Sequence, residues 1–181
     1  MAAPGITFQK LDGGQAAAHG DELQAVHREV YGEADHGALF AGRFGVWRRQ
    51  QGFVLAEARH GDYLVGFAAG MPLRPSTSWW KDLITPLPAE VITEHPGRTF
   101  ALTELLVRAS WRRQGIAGSL HDLILGRRPE ERATLVVPPG ATAAQQALRE
   151  WGWSRVARTR GPDRGSPVLD VLIIGLPASH P

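Results

Sequence analysis

The segment Phe100 to Val107, FALTELLV, is nearly continuously apolar, and a second apolar pattern with helical spacing opens at Ile116. A strand without polar alternation is buried on both faces, as in a sheet covered by helices. Ile116, Leu120, Leu123 and Ile124 stand at i, i+4, i+7 and i+8, one stripe of an amphipathic helix. Between them runs RASWRRQ, and Gly115-Ile116-Ala117 opens the helix. A buried strand, a basic loop and a glycine-opened helix constrain the chain to an α/β layer structure. The same features build an anion site. The first N–H groups of a helix have no intrahelical partner, the helix dipole reinforces them, and a glycine there lets a bound group come close. Arg112 and Arg113 add charge suited to phosphate oxygens. Neither GxxxxGK[ST] nor GxGxxG occurs, so this is neither a P-loop nor the dinucleotide fingerprint.

The other elements follow from periodicity. Ile6 to Leu11 reads as a short strand, and Leu23, Val26 and Val30 mark a helix with polar residues between them. A second short helix is expected over Phe44 to Gln51. Phe53 to Ala56 and Tyr63 to Ala68 read as an antiparallel hairpin around His60-Gly61-Asp62. The stretch from Pro72 to Gly97 is broken by prolines and reads as a loop with a short helix. Ala133 to Val137 is a further strand. A helix with Ala144, Ala147, Leu148 and Trp151 on one face follows, ending at Gly152. Trp153 to Arg158 and Val168 to Ile174 supply two last strands. The expectation is a single α/β domain over residues 1–181, with a mixed six- to seven-stranded sheet flanked by about four helices.

Composition narrows the function. The 181 residues are 43% hydrophobic and 21% charged, enough for a real core and too apolar for disorder. The absence of cysteine excludes disulfides, thiolate metal sites and cysteine nucleophiles. The seven histidines show no HExxH or paired ligand spacing, so no metal is expected. No apolar run is long enough to span a bilayer, and the first residues do not read as a secretion signal; a soluble, cytoplasmic protein without a membrane partner is expected. Charge is uneven: residues 1–97 carry eight basic against eleven acidic side chains, and residues 98–160 carry eleven against five. An anionic partner for the second half and a cationic one for the first would suit that split. The basic residues gather around the loop rather than on an aromatic-basic platform, so nucleic acid is not the expected partner.

Arg112-Arg113-Gln114-Gly115-Ile116-Ala117 resembles the [Q/R]-x-x-G-x-[G/A] motif of the GCN5-related N-acetyltransferases, the GNAT family. Val107 before it and Trp111 within the loop match the fuller pattern. AAQQALREWGW is similar to the family's block in which an alanine-rich helix ends in a Leu-Tyr-x-x-x-Gly-Phe-like sequence, with Leu148, Gly152 and Trp153 on its landmarks. The resemblance spans about residues 99 to 174. It implies a GNAT-like fold, acetyl-CoA as cofactor and direct acyl transfer to an amine. It further implies that backbone groups of Leu105, Leu106 and Val107 pair with the pantetheine arm, where the strand splays from ATLVV. N–H groups from Arg113 through Gly118 would hold the pyrophosphate, with Arg112, Gln114 and Ser119 beside them. The Leu106 N–H is the expected oxyanion donor. Family members are often dimers, which makes a homodimer the expected assembly.

Glu104 is the candidate general base. It interrupts an apolar strand, lies on the side of Leu102 and Leu106, and would have its pKa raised by burial. A strand-end glutamate paired with an arginine is the alternative. The family's tyrosine that protonates the departing thiolate corresponds to Leu148, and its frequent asparagine to Ala141, so no general acid is assigned. Glu29, Glu33 and Asp35 are candidates for holding a cationic amine, or else form a solvated helix face. Trp79 and Trp80 are candidates for lining an acceptor pocket, or else cover the sheet. The expected activity is N-acetylation of a primary amine on a small molecule such as an amino sugar or an antibiotic. Acetylation of a protein or peptide, and a non-catalytic CoA-sensing module, are the alternatives.

Overall fold

The computed structural model describes residues 4–32, 36–160 and 166–177, with the side chains of residues 36–38 outside the description. The described strands are β1 (Ile6–Asp12), β2 (Val54–His60), β3 (Tyr63–Pro72), β4 (Thr99–Val107), β5 (Arg132–Val137), β6 (Ser154–Arg160) and β7 (Val168–Gly175). They form one mixed sheet in the order β1-β2-β3-β4-β5-β7-β6. The helices are α1 (Gly20–Tyr31), α2 (His36–Trp47), the single turn α3 (Ala89–Ile92), α4 (Ile116–Leu125) and α5 (Thr142–Glu150). The chain divides into two compact units, Met1–Met71 with Leu102–Gly126, and Pro72–Ala101 with Arg127–Pro181.

In the first unit β1, β2 and β3 run antiparallel, with a bulge at Ala58/Arg59. Leu23 and Val26 of α1 and Phe40 and Phe44 of α2 bury their side chains with Leu55, Leu64, Phe67 and Leu106 of the strands. Each such side chain contributes roughly 1.5–3 kcal/mol by leaving water. The second helix differs from expectation: it spans His36–Trp47 rather than Phe44 to Gln51. Its face is Phe40, Phe44 and Trp47, at i, i+4 and i+7. Gly42 and Gly45 weaken its intrinsic helicity and hide it from a propensity reading, while aromatic packing outweighs them.

In the second unit the parallel β4–β5 ladder joins Thr99, Phe100 and Ala101 to Arg132, Ala133 and Thr134. β5–β7 and β6–β7 are antiparallel, the latter with a bulge between Arg155 and Ala157. Leu73, Trp80, Ala101, Ala157 and Val171 form its apolar cluster, joined by Trp79, Leu83 and Ile92. On α5 Leu148 is buried but Ala144 is exposed, so the apolar face is narrower than expected. Gln145 takes the inner place, donating to Asp170 Oδ2 at 3.1 Å. Among the described residues no helix is long and apolar enough to cross a membrane.

Candidate active site

β4 alternates so that Leu102, Glu104 and Leu106 share a face, and all three are buried. Glu104 is only 8% exposed, an expensive place for a carboxylate. Burial pushes its pKa up to about 7, against the lowering pull of the Arg43 guanidinium on α2. His27 of α1 places Nε2 3.9 Å from Glu104 Oε1. The His27 ring is stacked on Phe40, centroids 4.5 Å apart, and tilted against Tyr31 at 4.7 Å. Tyr31 has half of its surface exposed. Desolvation and then the Glu104 charge push its hydroxyl up to about 12, with Arg43 opposing them. A carboxyl that burial holds well above the usual carboxylate range, with a histidine beside it, suits proton transfer near neutral pH.

Beyond Val107 the chain is tied back before it turns. Arg108 N–H donates to the Val65 carbonyl at 2.9 Å, and its side-chain Nε donates to the Leu64 carbonyl at 2.8 Å. The same guanidinium pairs with Glu29 and lies 4.7 Å from the centre of the Tyr63 ring. A 3-10 turn, Ala109–Trp111, follows. Trp111 packs on His60 with centroids 5.1 Å apart, and Arg112 Nε donates to the Val107 carbonyl at 3.1 Å. Arg113 and Gly115 both adopt left-handed backbone, at φ 61° and φ 75°. That conformation is natural for glycine and strained for arginine. Gly115 caps α4, and Ser119 N–H closes the first helical bond to its carbonyl at 3.0 Å. The N–H groups of Ile116, Ala117 and Gly118 therefore precede that bond and point out of the helix N-terminus. Arg112 and Arg113 are exposed, and among the described residues neither is in an ion pair. Outward amides, a left-handed glycine and two cations make a donor set fitted to a diphosphate.

Leu105, Leu106, Val107 and the whole run Arg112 to Ser119 thus fall in one unit with Glu104. β3 presses close here: a Cβ on Gly66 would sit 2.7 Å from the Leu106 carbonyl oxygen. Other expected site residues fare differently. Glu29 carries an ion pair to Arg108 and so ties α1 to the residue that follows β4. Trp80 is buried in the apolar cluster of the second unit, donating Nε1–H to Glu94 Oε1 at 2.9 Å. Trp79 packs partly buried against the same cluster. Glu33 and Asp35 lie outside the described residues. Leu148 is buried, and Ala141 caps α5 without a side-chain hydrogen bond.

His27, Tyr31 and Arg43 escape the sequence reading. His27 is buried beside Val26, and Tyr31 follows it by four residues at the half-exposed end of α1, so a stripe drawn from apolar residues alone omits them. Arg43 is hidden by the misplaced start of α2.

No protein-family sequence model matches the chain, and no curated protein matches it in sequence. Solved structures do match. A GNAT-family protein from Desulfovibrio desulfuricans superposes with a TM-score of 0.69 at 11% identity, over 94% of this chain and 98% of that one. The ribosomal-protein-S18-alanine N-acetyltransferase of Escherichia coli gives 0.67 at 11%, over 94% of each chain. A chain of the NatC complex, solved with Gag peptide and CoA, gives 0.64 at 14%, over 95% of this chain and 99% of that one. At such identities the likeness is one of fold: the chain has a GNAT-like fold, shared by acetyltransferases some of which act on proteins.

Proposed function

We propose that the protein is an acetyl-CoA-dependent N-acetyltransferase that acts by direct attack on the primary amine of a small molecule, with amino sugars and amine-bearing antibiotics as the first candidates. The observation that carries the proposal is Glu104, a buried carboxyl with a pKa near 7 in the strand that leads into an anion-binding helix N-terminus. Acetyl-CoA, when bound, supplies an activated thioester. The amides of Ile116, Ala117 and Gly118 and the cations of Arg112 and Arg113 would hold its diphosphate, Gln114 and Ser119 flanking them. Backbone groups of Leu105, Leu106 and Val107 would align the pantetheine arm, and the Leu106 N–H would donate to the acyl oxygen.

An amine is protonated at neutral pH and cannot attack until it loses a proton. Glu104, raised to about 7 by burial, is a strong enough base to accept that proton near neutral pH. Leu148 offers no proton to the departing sulfur. A thiolate is a far better leaving group than an alkoxide, so transfer proceeds with solvent as its proton source.

A second reading, acetylation of a peptide or protein amine, is favoured by the ribosomal-protein acetyltransferase and the peptide-bound complex among the structures of like fold. Free-thiol release measured with acetyl-CoA against parallel panels of small amines and peptides separates the two. Turnover of small amines supports the first reading, and turnover of peptides alone supports the second. Tight CoA binding with no turnover of either would make the chain a CoA-sensing module.

A further inference from the structure

The base in this site has a cation for a neighbour. Glu104 Oε1 lies 3.9 Å from His27 Nε2, and the His27 ring stacks on Phe40 with centroids 4.5 Å apart. Phe40 and Arg43 stand three apart on α2, where side chains are neighbours. Phe40 is buried and Arg43 exposed, so Arg43 sits at the outer edge of the layer that covers Glu104. Its charge reaches two groups there. Burial raises the Glu104 carboxyl and Arg43 lowers it, and the Tyr31 hydroxyl responds to burial, then to Glu104, then to Arg43.

The fold makes little use of that guanidinium. Its Nε donates to the Leu39 carbonyl of its own helix at 3.3 Å, and the group lies 5.8 Å from the centre of the Trp47 ring. Among the described residues no carboxylate pairs with it and its two terminal nitrogens make no hydrogen bond. Arg59, Arg108, Arg128 and Arg132, by contrast, each hold a carboxylate. A lone cation beside the base works against the reaction. It repels an incoming ammonium and weakens the carboxylate that must deprotonate it. Both effects are neutralised when the acceptor brings a negative charge of its own, because the terminal nitrogens of arginine match the paired oxygens of a carboxylate or phosphate. An acceptor without that charge keeps both penalties, so the site rejects it as well as favouring its rival.

We infer that Arg43 selects acceptors in which the amine shares its molecule with an anionic group, a carboxylate or a phosphate, held by the guanidinium while the amine faces Glu104. The inference rests on the reading of Glu104 as the base of an acetyl transfer to a small amine, and it narrows that class. Amino acids and phosphorylated amino sugars fit; amines whose only charge is positive do not.

The test compares matched acceptors within one protein. Thiol release from acetyl-CoA is measured with amino acids against their carboxamides, and with a hexosamine phosphate against the free hexosamine. The wild type, Arg43→Gln and Arg43→Lys are each assayed. In the wild type kcat/KM is expected to favour the anionic member of one pair by roughly ten- to a hundredfold, mainly through KM, as for a charge-assisted hydrogen bond. The pair that shows the preference tells carboxylate from phosphate. In Arg43→Gln the ratio is expected to collapse to unity, and Arg43→Lys, with the charge but not the fork, to fall between. Each ratio is taken within one variant, so a general loss of activity does not enter it. Calorimetric titration of the same pairs into the CoA complex of each variant reads the ratio without turnover. A wild-type ratio of unity for both pairs, or a preference that survives Arg43→Gln, would overturn the inference and leave the acetyltransferase reading standing. Turnover of peptides alone, or of no acceptor, would remove that reading and the inference with it.

Discussion

Glu104 takes its character from where β4 puts it. Its ordinary carboxyl value of 4.5 becomes about 7 because burial withholds water from the charge. Turnover is therefore expected to rise as pH climbs through 7 and then level off. In Glu104→Gln that limb should vanish, with kcat reduced on the order of 10²–10⁴-fold while acetyl-CoA binding is retained. A variant as active as the wild type would remove the base. Arg43 opposes the effect of burial, so Arg43→Met is expected to move the activity limb to higher pH, the direction that separates its charge from its packing on Trp47. Legibility at this scale was uneven. Glu104 stood out because a charge in FALTELLV breaks the run. His27 did not, because a histidine among apolar positions looks the same in a sequence whether it meets a carboxylate or a phenyl ring. Trp80 stayed open between a pocket wall and a cover for the sheet, because a proline-rich setting does not reveal that Glu94 gives its indole N–H a buried acceptor.

At the scale of elements, the β4–loop–α4 unit was the most legible part, since buried strand, basic loop and helix signals agree with one another. α2 was the least legible, for the glycine reason given above. The loop also stores strain: Arg113 sits at φ 61°, where a side chain is costly. Arg113→Gly is expected to leave the thermal midpoint equal or higher, because glycine adopts that backbone freely, while CoA affinity falls. Parallel loss of stability and affinity would contradict this division between fold and function. Gly66 is a feature of close approach rather than of turn geometry, since any Cβ there meets the Leu106 carbonyl. Gly66→Ala is expected to destabilise the chain by about 1–3 kcal/mol, read by urea unfolding, and to lower kcat by displacing the Leu106 peptide. A variant of normal stability and rate would show that β3 yields without moving β4.

For the whole molecule, fold class came through because it depends on the order of elements, which tolerates errors of several residues at their ends. Two buried carboxyls should shape its stability against pH in opposite ways. Glu57, fully buried on β2, is opposed by burial but held below the usual range by hydrogen bonds from Arg59, Gln9 and His19. Its stabilisation is present above the unfolded value and is lost as pH falls through the folded one. Glu104 is raised, so the folded chain holds its proton longer, and stability falls as pH rises from the ordinary carboxylate range towards 7. Thermal midpoints across pH are expected to lose the acid limb in Glu57→Gln and the near-neutral decline in Glu104→Gln; profiles parallel to the wild type would refute both assignments. Cofactor binding depends on what α4's opening turn holds. Isothermal titration with acetyl-CoA should give saturable one-to-one binding to the wild type and at least tenfold weaker binding to Arg113→Glu, whereas a heatless wild-type titration, or equal affinities, would contradict it.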